Sequence, residues 1–136
     1  MTLRRRRLPP ELAEPYAAFE HVAALLGEAK DALTAVMPTT RLPGTPLAEA
    51  LEAFEDRLAR ASAGMEAWRV PEVMDAWGEA TRGLERARER ARAFREDPPE
   101  LAGFEGLIWA VGELLDPLEA FEIAEDRFRA LRVRSR

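Results

Sequence analysis

Several residue types are missing from this 136-residue chain or nearly so. It has no cysteine, which excludes disulfides, thiolate metal ligands and cysteine nucleophiles. His21 is the only histidine, and Ser62 and Ser135 are the only serines. The chain therefore has too few of these residues to indicate a nucleophilic catalytic triad or a metal site with several histidine ligands. There is also no Gly-rich phosphate-binding loop. The sequence therefore predicts no catalytic residue, no metal ligand and no cofactor, and we expect a protein that is not an enzyme.

Long apolar stretches are missing too, although 47% of the residues are hydrophobic and 33% are charged. A membrane-spanning helix needs about 18 or more consecutive, mostly uncharged apolar residues, and no such run occurs. The basic start of the chain is followed by Pro9, Pro10, Glu11 and Glu14, where a secretory signal would need an apolar core. This composition is typical of a folded, water-soluble domain, and we expect it in the cytoplasm.

Asparagine and glutamine do not occur, and Lys30 is the single lysine beside 19 arginines. Loss of thermolabile amides is a feature of thermophilic proteins. A GC-rich genome favours the same usage of arginine, alanine, glycine and proline. Both explanations remain open.

Positive charge concentrates at the two ends of a chain whose formal net charge is −5. Residues 1–10 carry four arginines and residues 127–136 carry five, and neither segment has an acidic residue. The part between them holds all 25 acidic residues and 11 of the 20 basic ones, a balance of −14. We expect a basic arm over residues 1–10, one domain over 11–131 and a basic tail over 132–136.

Apolar residues recur every three or four positions along most of the chain, which predicts α-helices and no strand. We expect the first helix over residues 15–37, the second from a Thr45 cap, and the third over residues 71–95. Asp97 and Glu100 form a capping box that predicts the start of a fourth helix. Short linkers make successive helices antiparallel, so the predicted fold is an all-α, antiparallel up-down-up-down four-helix bundle.

The fourth helix has two unusual features. An Asp116-Pro117 pair inside it predicts a kink or break. Its first part, residues 101–115, is apolar on nearly every side, and in a four-helix bundle such a helix needs a covering partner. We predict a homodimer through this helix, with the interface residues Phe104, Ile108, Trp109 and Leu115. The alternative is that the second half of the helix or the N-terminal arm covers it within one chain.

A run of five arginines lies in the third helix, in the segment GLERARERARAFRED over residues 83–97. Acids interleave with them, which predicts ion pairs within the helix rather than a phosphate-binding surface. The expected pairs are Arg82–Glu85, Glu85–Arg88, Arg86–Glu89, Glu89–Arg92 and Arg92–Glu96. Three arginines, Arg88, Arg92 and Arg95, share one edge of the apolar face, where they would meet carboxylates of a neighbouring helix or hold an anion.

Two further features carry charge into the bundle. Lys30 falls on the apolar stripe of the first helix, where it would extend its charge to the surface, form an ion pair or receive an anionic ligand. Acids also recur on successive turns, an arrangement that resembles the all-α nucleotide pyrophosphohydrolases of the MazG type. These acids are Glu113, Asp116, Glu119 and Glu122. The resemblance implies a Mg²⁺-dependent hydrolase, but the paired Glu-Glu-x-x-Glu of that family is missing here.

The function predicted is therefore that of a non-enzymatic helical-bundle interaction or scaffold protein, a homodimer with an unidentified protein partner. In an up-down-up-down bundle the two chain ends lie at the same end of the molecule. The alternative is accordingly an accessory protein that docks on nucleic acid through its basic ends. Its candidate anion-binding residues are Arg4, Arg5, Arg6, Arg7, Arg132, Arg134 and Arg136. The Mg²⁺-dependent hydrolase is a second alternative.

Overall fold

The computed structural model describes the backbone of residues 6–131 and 133–134 and the side chains of residues 8–131. Within these ranges the chain is largely helical, which confirms the all-α prediction. The α-helices are α1 (Ala13–Thr34), α2 (Leu47–Ala63), α3 (Met74–Glu96), α4 (Gly103–Leu115) and α5 (Glu119–Ala130). Short 3-10 turns lie at Pro10–Leu12, Glu66–Trp68, Pro71–Val73 and Asp116–Leu118. The remaining pairing is an antiparallel bridge between β1 (Arg6–Arg7) and β2 (Val133–Arg134).

Contacts between α1 and α2 run in opposite chain directions. Where the two helices are linked, the backbone N–H of Thr45 donates to the carbonyl oxygen of Ala35 at 2.8 Å. Further along, Arg57 of α2 lies 3.7 Å from the Glu28 carboxylate of α1. Higher residue numbers in α2 therefore meet lower numbers in α1.

The contacts between α2 and α3 show the same reversed order. In α2 and α3, Arg95 meets Glu55 at 3.2 Å, and the Trp77 indole N–H donates to the Met65 carbonyl oxygen just beyond the end of α2. Between α3 and α5, Arg127 meets Asp75 at 2.8 Å. The antiparallel arrangement of the whole bundle stays a prediction.

One continuous core joins the helices. The helical periodicity correctly placed Leu51, Phe54 and Leu58 of α2 on the buried side, and Ala80 and Leu84 of α3 as well. Apolar positions that recur every three or four residues face inward, and their burial against neighbouring helices provides most of the stability of helices of this length.

An aromatic cluster fills the end of the core where α1 begins and α5 ends. It consists of Tyr16, Phe19, Trp68, Phe121 and Phe128. The ring of Phe19 stacks on that of Phe121 with centroids 4.6 Å apart and meets Trp68 edge-on at 4.9 Å. Tyr16 approaches Phe128 edge-on at 5.6 Å. Such contacts add to the free energy of area burial, because the positive edge of one ring meets the negative face of another.

The link between α1 and α2 corrects two predicted boundaries. α1 ends at Thr34 rather than residue 37, because Met37 precedes a proline and is disfavoured in the helical region. α2 begins at Leu47 with Pro46 in the capping position, so the predicted Thr45 cap is wrong. Thr45 instead donates its backbone N–H to the carbonyl oxygen of Ala35, the residue that follows α1.

The predicted capping box at Asp97 and Glu100 is also wrong. α3 continues to Glu96, so Asp97 ends that helix instead of starting the next one. Pro98 precedes Pro99 and is therefore biased toward extended backbone. The chain enters α4 at Gly103, whose φ of +63° lies in the left-handed region that favours glycine.

α4 and α5 together occupy the place of the predicted fourth helix. The three residues Asp116–Leu118 between them form a 3-10 turn at the Asp-Pro pair. This turn packs against α3 so closely that a Cβ added to Gly83 would lie 2.1 Å from the carbonyl oxygen of Pro117. Only a glycine allows α3 this approach. The 3-10 turn by itself does not define the angle between α4 and α5, so the predicted kink stays a prediction.

Candidate interaction surface

α4 carries three large apolar side chains that the rest of the described chain leaves exposed. Phe104 is 55% exposed, Ile108 49% and Trp109 52%. We call these three residues the α4 patch. Ala110, Val111 and Leu114 of the same helix are buried. Phe104 and Ile108, four positions apart, lie about 40° from each other around the axis, whereas Trp109 lies about 140° from Phe104.

Among the described residues, the patch has one aromatic neighbour. The ring of Trp109 stacks on Phe94 of α3, with centroids 5.8 Å apart and planes inclined by 22°. Phe94 is half-buried, so this pair anchors the patch to the bundle without closing it. Leu115, the fourth predicted interface residue, is half-buried and lies elsewhere, in the wall of a groove.

That groove runs between α1 and the junction of α4 with α5, and it has a volume of about 390 Å³. Its apolar lining comes from Ala23, Leu26, Leu115, Leu118 and Phe121. Its charged lining consists of Lys30, Asp116, Glu119, Glu122 and Glu125. We call it the acidic groove, because four carboxylates face one ammonium group.

Lys30 follows the apolar stripe of α1 in sequence, but the structure leaves it exposed at the side of the acidic groove. Among the described residues it has no carboxylate within 4.0 Å, so the predicted ion pair is not formed. The physical reason is the separation of the helices. α1 packs closely on α2 but touches α4 and α5 at few positions, so the stripe position of Lys30 opens on solvent.

The acids that suggested a hydrolase do not gather into a metal centre. In the part of the chain that the structure describes, no group of three or more His, Asp or Glu side chains is arranged to hold a metal ion. Glu113 turns away from the acidic groove to α3, where its backbone carbonyl oxygen accepts a 2.8 Å hydrogen bond from Arg90. His21 is exposed on α1.

The arginine edge of α3 makes contacts with α2. Arg95 meets Glu55, a carboxylate whose side chain is only 19% exposed, at 3.2 Å. Arg88 donates to the hydroxyl of Ser62 at 3.3 Å. Arg92 is exposed and forms no ion pair with another described residue. Two of the three arginines therefore bind the neighbouring helix.

The five ion pairs predicted within α3 are wrong for the described residues. None of them brings its charged atoms within 4.0 Å, and Arg82 pairs instead with Glu79 on the preceding turn. Exposed arginines have several carboxylates in reach at nearly equal free energy, because each such pair stabilises a helix by only about 0.2–0.5 kcal/mol. Arg90, which the sequence did not single out, pairs with Glu113 of α4 across 3.8 Å.

The two ends of the chain meet in the β1–β2 bridge. Arg6 pairs in register with Arg134, and Arg7 with Val133. Three backbone positions predicted to bind an anion therefore lie together at one end of the molecule. The other four, Arg4, Arg5, Arg132 and Arg136, lie outside the residues that the structure describes.

Fold and surfaces together define an all-α chain with an exposed apolar helix face and a charged groove beside it. No protein-family model matches this chain, and no curated protein or solved structure matches it either. Over the described residues, no helix combines the length and the apolarity that crossing a membrane requires. The function is therefore inferred from the surfaces themselves.

Proposed function

We propose that this chain is a non-enzymatic interaction module that forms a homodimer through α4. The observation that carries the proposal is the exposure of about half of each large side chain in the α4 patch. Aromatic and large aliphatic residues at one site are characteristic of the centres of protein interfaces. A second copy would remove this apolar surface from water, at roughly 25 cal/mol for each Å² buried.

The size of the patch limits the form of the dimer. A standard interface buries about 800 Å² on each partner, which is roughly a tenth of the accessible surface of this chain, 8998 Å². Three side chains do not provide that area alone. We therefore expect two copies of α4 to cross with the patch at the centre and the adjoining turns at the rim, as a two-fold axis requires.

Replacing Trp109 by Glu tests the dimer. A carboxylate at the centre of an apolar interface would lose its hydration, so Trp109→Glu should convert the dimer to a monomer. Mass from light scattering, measured at the same concentrations for each variant, reports the change. Ile123→Glu is the matched control, because Ile123 is 56% exposed on α5 and outside the patch. A monomeric wild-type chain, or a dimer that survives Trp109→Glu, would refute the proposal.

A second candidate function has support from the chain ends. Here we propose that the paired ends dock on the phosphate backbone of a nucleic acid. The support is the register of Arg6 with Arg134, which places backbone positions from two arginine-rich, acid-free segments beside each other. The acidic remainder of the chain would restrict binding to that end by repelling phosphate elsewhere.

Fluorescence anisotropy of a labelled DNA duplex or RNA tests this candidate. Binding should weaken steeply with salt, because each phosphate contact releases a counterion. Replacing Arg4–Arg7 by Ala should abolish most of the binding at low salt. A control that replaces Arg60, Arg82, Arg86 and Arg92 removes the same charge from the exposed sides of helices. Equal losses in both variants, or no binding at low salt, would exclude nucleic acid as the partner.

A further inference from the structure

The acidic groove is the least closed side of the bundle. α1 packs along α2, and α3 packs along α5, but α1 and the α4–α5 unit touch at few positions. The groove between them is open to solvent and about 390 Å³ in volume, within the range of sites that accept ligand groups. This side of the bundle has space for another element.

Two glycines widen the groove. Gly27 of α1 and Gly112 of α4 both line it, and a Cβ added to either residue would meet no atom within 4 Å. Alanine would fit at both positions and would stabilise each helix by about 1 kcal/mol. The absence of side chains here lets the backbone of an incoming element approach both helices closely.

The charge of the groove is strongly one-sided. Asp116, Glu119 and Glu122 form no ion pair with any described residue, whereas Glu125 pairs with Arg129. Some exposed acids elsewhere pair with arginines of neighbouring helices, as Glu28 does with Arg57 and Asp75 with Arg127, whereas others such as Glu85 form no ion pair with a described residue. The groove therefore presents four carboxylates, three of which form no ion pair with a described residue, beside Lys30 and above an apolar floor.

These carboxylates recur every three residues from Asp116 to Glu125. At roughly 1.5 Å per residue they extend over about 14 Å, with steps of about 5 Å. Lysines or arginines at every third or fourth position of another helix have the same axial spacing. Apolar residues on the adjoining face of that helix would meet Leu26, Leu118 and Phe121 in the floor.

We infer that the acidic groove is a docking site for a basic amphipathic helix of a partner protein. Recognition would combine apolar burial in the floor with charge pairing at the rim, the usual mode of binding a helix in a groove. The site lies beside the α4 patch but shares no residue with it. The inference therefore does not depend on the homodimer.

Anisotropy of a fluorescein-labelled peptide tests this inference on the full-length chain. The probe is a 20-residue helix of Leu, Lys and Ala with lysines on one face and leucines on the other. Binding should be saturable, and Glu119→Gln with Glu122→Gln should weaken it about tenfold, because two charge pairs are lost. Gly112→Leu should weaken it similarly by filling the groove without changing any charge.

Glu85→Gln with Glu89→Gln is the matched control. These acids are exposed on α3 and form no ion pair with other described residues. Their replacement changes the net charge by the same amount as the replacement of Glu119 and Glu122. This variant and Trp109→Glu should both retain binding within about twofold. Circular dichroism establishes that each variant is folded, so a loss of binding reports on the groove.

Three results would overturn the inference. Equal weakening by both pairs of Gln replacements would show attraction by net charge alone. Equal binding of a peptide with the same composition but a scrambled order would show that no helical face is recognised. Binding of spermine, but not of the peptide, in a manner that depends on Glu119 and Glu122 would show a site for small polycations.

Discussion

The aromatic cluster and the α4 patch contain similar residues in opposite surroundings. In the cluster, Phe19 lies within about 5 Å of the Phe121 and Trp68 rings, and its side chain is only 1% exposed. In the patch, Phe104 is 55% exposed, and Trp109 stacks on a single ring. The first set joins three elements of the same chain, α1, the Glu66–Trp68 turn and α5, and is therefore a source of fold stability. The second set contributes little to the fold, so its apolar surface is free to drive association.

Phenylalanine truncation tests this comparison with the largest expected effect. Phe19→Ala should lower the free energy of unfolding by about 3–5 kcal/mol, because it removes ring contacts and leaves a cavity. Phe104→Ala, the matched change in the patch, should lower it by less than about 0.5 kcal/mol. Urea denaturation followed by circular dichroism, at one low protein concentration, measures both. Phe19→Leu provides a milder variant that keeps a measurable transition, and similar costs for Phe19→Ala and Phe104→Ala would refute the comparison.

A pair of glycines sharpens the comparison with a smaller effect. Gly83 is buried against the Asp116–Leu118 turn, where the Cβ of Gly83→Ala would collide with the Pro117 carbonyl oxygen and cost about 1–3 kcal/mol. Gly112 lies in α4 next to open space, so Gly112→Ala should raise stability by up to about 1 kcal/mol. The shift in Tm for each variant, measured at matched concentration, gives the sign. A stable Gly83→Ala protein would mean that α3 and the turn stand further apart.

Periodicity predicted the buried faces because a helix repeats every 3.6 residues, so a stripe such as Leu51, Phe54 and Leu58 records the direction of the core. The sequence also indicated that α4 is apolar on nearly every side, because Phe104 and Trp109 lie on different sides of that helix. The helical period does not say whether another part of the same chain covers that surface. In the described residues the surface is exposed, and the homodimer stays a prediction.

The acidic groove was outside the reach of the sequence. Acids on successive turns were visible, as was Lys30 on a core stripe, but their meeting depends on the distance between α1 and the α4–α5 unit. The local signals were Gly27 and Gly112, each inside a helix, where alanine is more stable. Glycine there is consistent with a close backbone approach, but it does not identify what approaches.

The sequence by itself determined the helical class and the inward faces, because both depend on local propensity and on a repeat that each segment carries alone. Tertiary structure decided the caps, the ion pairs and the groove. Asp97 ends α3 instead of starting α4, and Arg95 binds Glu55 of α2 instead of an acid on its own helix. These outcomes depend on how far apart two helices stand. Alternative ion pairs within one helix differ by only about a few tenths of a kcal/mol, so the neighbouring helix decides which pair forms.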